Sequence, residues 1–118
     1  MSLEERFNCL VKEWEEYVNN GAGPSGIPVK FSSNANDVRC CKAYIDIISL
    51  GRNALPLIRK LYDRDHSDNF ALDIIKGHGL FAIVREIAGH EFNIPEELAG
   101  RIRGIEEYTK SWLDNNNK

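Results

Sequence analysis

The feature that most constrains this chain is residues 51–61, GRNALPLIRKL. Gly51 follows the apolar run Ile47, Ile48, Leu50, where a glycine takes the left-handed conformation that ends a helix without a Cβ penalty. Asn53 is suited to cap the next helix through its side-chain oxygen. Pro56 falls in the first turn of that helix, where its missing N–H costs little because first-turn amides have no intrahelical partner. Leu57, Ile58 and Leu61 then fall on one helical face. The stretch encodes helix, tight turn, helix.

Residues 77–87, GHGLFAIVREI, repeat this pattern at a shift of 26. Gly51 meets Gly77, Leu55 meets Phe81, Leu57 meets Ile83, and Ile58 meets Val84. Arg59 meets Arg85, and Leu61 meets Ile87. Upstream, Asp46-Ile47-Ile48 recurs as Asp73-Ile74-Ile75 at a shift of 27. Stacked helical hairpins produce shifts of this kind. Lys76-Gly77-His78-Gly79 is therefore expected to be a turn, and residues 37–89 to form two degenerate HEAT-like hairpins. The Gly-His-Gly at 77–79 lacks the preceding strand that a phosphate-binding glycine loop needs.

The rest of the chain reads as helices and one long loop. Ser2 with Glu5 makes a capping-box pattern for a helix over 3–19, with Leu3, Phe7, Leu10, Val11, Trp14 and Val18 on one stripe. Prolines and glycines make 21–36 a loop, expected to wrap the core on Ile27, Val29 and Phe31. A single helix over 37–50 is expected to bury Val38, Cys41, Ile45 and Ile48, with Tyr44 on the flank. Helices follow over 54–62, after a cap at Ser67 or Asp68 up to Ile75, and over 80–88. Asn93 with Glu96 and Pro95 announces a last helix within 93–114, with Leu98, Ile102, Ile105, Thr109 and Trp112 as its stripe. No run of alternating β-branched residues occurs. The expected fold is all-α, about six helices in stacked hairpins with no significant β-sheet, in a single domain over 1–118.

A length of 118 residues suits one core without metal or disulfides, and a net charge of −3 argues against a nucleic-acid binder that neutralises phosphates. Three cysteines, Cys9, Cys40 and Cys41, form no two-bridge framework and no CxxC, so they are expected to be buried or half-buried helix thiols. The N-terminus is Glu-rich rather than basic and then apolar, and no apolar run approaches the ~20 residues that span a bilayer. A soluble cytoplasmic protein that does not engage membranes is expected.

No catalytic motif stands in the chain, and no cofactor or metal ligand set is assigned. His66, His78 and His90 each fall between expected helices. Alternating helices place His78 at the opposite end from His66 and His90, so a shared metal site is not expected. Arg59 and Arg85 occupy matching places on the second helix of each hairpin. In a stacked array that series lines one face, and the guanidinium forks there suit an acidic partner. These two arginines are the candidate partner-binding residues. The first reading is thus a protein-interaction or scaffolding module with an unidentified protein partner, its oligomeric state left open. The alternatives are a small metal-dependent enzyme using His66, His78 and His90, and a regulator linked to a mobile element or toxin–antitoxin system.

Tyr44, Ile47-Ile48, Leu50-Gly51, Ala54-Leu55-Pro56-Leu57-Ile58, Leu61, Phe70-Ala71-Leu72, Ile75 and Gly77 together resemble a family of small uncharacterised bacterial and archaeal all-helical proteins. Phe7, Leu10 and Trp14 fit the same pattern. The chain has Asn69-Phe70 where that family has tryptophans, and Lys76 before Gly77. The 50–58 portion alone is similar to single HEAT-type repeats. The resemblance implies an all-helical fold and no particular activity.

Overall fold

The computed structural model describes residues 2–32 and 34–116. α1 (Leu3–Asn20) opens with the expected capping box: the Glu5 amide donates to Ser2 Oγ at 3.1 Å and the Ser2 amide to Glu5 Oε1 at 3.5 Å. Phe7, Leu10, Val11, Trp14 and Val18 are buried, while Leu3 at the open end stays exposed. Gly21 leaves the helix with its amide donating to the Tyr17 carbonyl at 2.8 Å.

The following loop wraps the core, but not on the three expected apolar side chains. Val29 is buried, whereas Ile27 and Phe31 are 48 % and 73 % exposed. The loop closes instead on the buried carboxylate of Asp37. Ser25 donates to it from its amide at 3.3 Å and its hydroxyl at 2.6 Å, and the Ser32 hydroxyl donates as well. A buried carboxylate is costly unless satisfied in this way. The two hydroxyls hold the Asp37 carboxyl below its ordinary range.

One helix was expected over 37–50; the structure has two. α2 (Ala35–Arg39) is capped by Asn34, whose side chain accepts from the Asn36 amide at 2.9 Å. α3 (Lys42–Ser49) starts after a break at Cys40 and Cys41. The indole of Trp14 donates to the Val38 carbonyl at 2.8 Å and the Tyr17 hydroxyl to the Asp37 carbonyl at 2.6 Å. Those are the acceptors that the amides of Lys42 and Cys41 would need for the helix to continue. The break resets the register: Ala43, Tyr44 and Ile47 are buried, and Ile45, expected inside, is 55 % exposed. Cys41 is half-buried, whereas Cys9 and Cys40 are exposed, against the expected burial; all three are free.

Gly51 ends α3 as expected, with φ +74°. A 3₁₀ turn (Gly51–Ala54) then runs directly into α4 (Leu55–Tyr62), which has Pro56 in its first turn. Asn53 makes no capping bond, because the 3₁₀ turn already leads the backbone into the helix. Leu55, Ile58, Leu61 and Tyr62 are buried.

The second turn of the expected repeat is not there. α5 (Phe70–Ile74) is capped by Asn69, rather than Ser67 or Asp68, through a 3.0 Å bond from the Leu72 amide. Residues Ile75–Gly79 are π-helical and pass without interruption into α6 (Leu80–Ala88). The three segments make one rod over 70–88, so the second hairpin does not form. Neither Gly77 nor Gly79 takes a positive φ. They are small for a different reason: a Cβ on Gly79 would lie 2.4 Å from two ring carbons of Trp14, and one on Gly77 would lie 3.1 Å from Ile102 Cγ2. α1 and α7 press on the rod at those two points.

α7 (Ile102–Asn116) begins later than expected, because Gly100 takes φ +80° and breaks the chain after a 3₁₀ turn at Glu96–Leu98. The Asn93 side-chain amide donates to the His90 carbonyl at 2.8 Å instead of pairing with Glu96. α7 buries Ile105, Thr109 and Leu113, and Trp112 meets Phe92 edge-on at 5.2 Å. The fold is all-α: among the described residues there are six rods, counting α5 and α6 as one. Among the described residues there is no sheet, only an isolated bridge between Ala22 and Pro28. No described helix is long and apolar enough to cross a membrane.

Candidate functional site: a double cleft beside the π-helical turn

The outward stripe of the 70–88 rod is Phe70, Ile74 and His78, each four residues from the last. Two clefts flank it, of about 330 and about 260 Å³, and both are lined by Ile74 and His78. The first lies between the rod and α7 and adds His66, Asp73, Arg103 and Glu106, with Ile102 as its apolar wall. The second lies between the rod and residues 30–32 and 34–38 and adds Lys30, Asn34, Val38 and Phe70.

Lys76 anchors the π-helical turn from inside. Only 3 % of it is exposed. Its ammonium donates to the Arg64 carbonyl and lies 3.1 Å from Nδ1 of His66. Burial pushes its pKa down. An ammonium has donors only, so His66 Nδ1 accepts and the ring proton sits on Nε2, which faces Asp73 Oδ1 at 3.4 Å. The His66 ring thus lies between the Lys76 ammonium and the Asp73 carboxylate. His78 is half-buried. Burial, and then the nearby Arg39 guanidinium, push its pKa down, so it is neutral at neutral pH. Arg39 Nε also donates to the His78 carbonyl at 2.9 Å.

The structure therefore reverses the expected arrangement of the histidines. His66 and His78 line one cleft, because the segment before the rod sets His66 against Lys76 and Asp73 on the rod's own flank. His90 sits apart, exposed on a separate 3₁₀ turn (Gly89–Glu91). Among the described residues no three His, Cys, Asp or Glu side chains converge to hold a metal ion.

Arg59 and Arg85 line neither cleft. Arg59 donates to Asp114 at 2.8 Å and to Asp63 at 3.1 Å, tying α4 to α7. Arg85 stands 5.6 Å from the Phe81 ring, which Arg39 also approaches at 5.1 Å. The two arginines share no partner. The cleft residues that sequence reasoning passed over are Lys30, Phe70 and Arg103. Phe70 carried the one readable signal, an aromatic next to the capping Asn69, at a first helical position that need not face inward. Comparison with protein-family models, curated proteins and solved structures finds no match.

Proposed function

We propose that this chain is a protein-interaction module and that its partner covers the double cleft along the 70–88 rod. The observation that carries this is the exposure of large apolar side chains on both rims: Phe70 is 58 % exposed and Ile102 42 %, on either side of the shared Ile74 and His78. Aromatic anchors of this kind dominate binding at protein interfaces. Small-molecule and cofactor sites run from about 300 to 1,000 Å³. The first cleft, about 330 Å³, lies at the small end of that range and the second, about 260 Å³, below it; clefts of this size suit the side chains of a protein partner.

This reading shifts the binding surface from Arg59 and Arg85 to the Phe70, Ile74 and His78 stripe of the rod, because the Arg59 fork is occupied within the chain and Arg85 lines neither cleft. The cytoplasm suits a chain whose three thiols are free. The test is capture of partners from the native cell by the wild type, a Phe70→Ala/Ile102→Ala variant and Arg59→Ala. A partner lost with the double variant and kept with Arg59→Ala is the expected result. A partner lost only with Arg59→Ala overturns the proposal.

A further inference from the structure

We infer that the second cleft takes an acidic, apolar linear segment of the partner, an aspartate or glutamate beside a leucine-like residue. This rests on the interaction reading above and specifies its ligand. Lys30 is the one charged side chain among the residues lining that cleft, and no carboxylate accompanies it. His78, which closes the end shared with the first cleft, adds no negative charge and is neutral at neutral pH. The remaining lining is apolar at Ala35, Val38, Ile74 and Phe70 and polar but uncharged at Ser32 and Asn34. A lone cation in the lining of a partly apolar cleft, on a chain whose net charge is −3, is a local inversion of the molecule's own sign.

The neighbouring cleft does not share this bias. Its lining holds the carboxylates of Asp73 and Glu106 as well as Arg103, and Asp73 already faces His66. The preference for an acidic segment therefore originates at Lys30. Phe31, 73 % exposed, lies under the same ammonium at 5.3 Å and extends the apolar rim. An arriving carboxylate meets the Lys30 ammonium, while its apolar neighbour enters between Phe70 and Val38. Charge complementarity of this kind sets which partner is accepted more than how tightly it is held.

The probes are three short fluorescent peptides: alternating aspartate and leucine, alternating lysine and leucine, and alternating aspartate and serine. Binding is read by anisotropy at neutral pH and low salt, on full-length protein whose helicity is checked by circular dichroism. The aspartate–leucine peptide is expected to bind at least about tenfold tighter than either other peptide, a difference the size of one good contact. Lys30→Glu is expected to invert the order of the two leucine peptides, and Phe70→Ala to weaken both. Added salt weakens the aspartate–leucine complex. Equal binding of the two leucine peptides, or indifference to Lys30→Glu, overturns the inference; if Phe70→Ala still weakens them, the interaction surface itself stands. Binding that ignores Phe70→Ala, or no binding by any peptide, overturns it as well. A concentration-dependent dimer in sedimentation that Phe70→Ala abolishes would make a second copy the occupant and also overturn it.

Discussion

Residues 51–61 and 77–87 share a degenerate pattern in sequence and are opposites in structure. In the first, Gly51 uses its conformational freedom: φ is +74°, the helix stops, and a Cβ there would meet nothing within 4 Å. In the second, Gly77 and Gly79 use their smallness: the backbone stays helical, and Trp14 and Ile102 occupy the space that side chains would take. A glycine after an apolar run thus has two physical meanings, and only the neighbours in space decide between them. π-helical insertions of this kind are often found at functional sites. Here the insertion turns Lys76 inward to His66 while His78 lines both clefts.

The largest expected effect is at Gly79. Gly79→Ala puts a methyl group into the indole of the wholly buried Trp14, which is also tied to the Val38 carbonyl. Overpacking of this kind costs about 1–3 kcal/mol. A fall in the melting temperature of roughly 10 °C is expected, despite the better helix propensity of alanine.

Next comes acid, which should reach the Gly79 side and spare the Gly51 side. Trp14 leans on α2, and α2 is held to its loop through Asp37. The folded Asp37 carboxyl sits below its ordinary value because Ser25 and Ser32 donate to it. Its contribution is therefore present above the unfolded value of about 3.9 and is lost as pH falls through the folded value. Urea midpoints measured from neutral pH downward should drop at the acid end, and Asp37→Asn should flatten that drop. An unchanged profile would remove Asp37 from the stability of the loop.

Gly51→Ala should cost about 1–2 kcal/mol, from backbone strain alone. Replacement by D-alanine, which suits a positive φ, should stabilise the chain at position 51 and destabilise it at position 79. Equal signs at the two positions in thermal melts would erase the distinction between them.

The smallest effects separate the two arginines. Arg59→Ala should cost about 0.5 kcal/mol, since its pairs with Asp63 and Asp114 are largely solvent-facing. Arg85→Ala, which loses an exposed stack on Phe81, should cost less. Chemical denaturation of both variants checks the order.

Much of the fold was legible where local chemistry acts alone. The capping box and apolar stripe placed α1, and the glycine at 51 placed the first turn. The misreadings share one cause: a distant group decided the local outcome. The Cys40–Cys41 break coincides with Trp14 and Tyr17 reaching across from α1 to two carbonyls of α2. The helical course of 76–79 depends on what presses against two glycines. The loop wrap depends on a carboxylate in the next helix, where apolar residues were the visible signal. The double cleft draws on segments around residues 30–32, 34–38, 66–78 and 102–106, so no single stretch announces it. Arg59 and Arg85 stood out because they match in the repeat. Their matching positions lead to different neighbours once the second hairpin is a continuous rod.

The most direct measurement is NMR of the backbone across residues 74–80. A continuous rod requires helical ¹³Cα shifts from Ile74 through Leu80, medium-range contacts between Cα protons and amide protons four and five residues on, and slow amide exchange through Gly79. A turn at 76–79, with a positive φ at Gly77 or Gly79 and the contacts interrupted there, would contradict it and restore two equivalent hairpins.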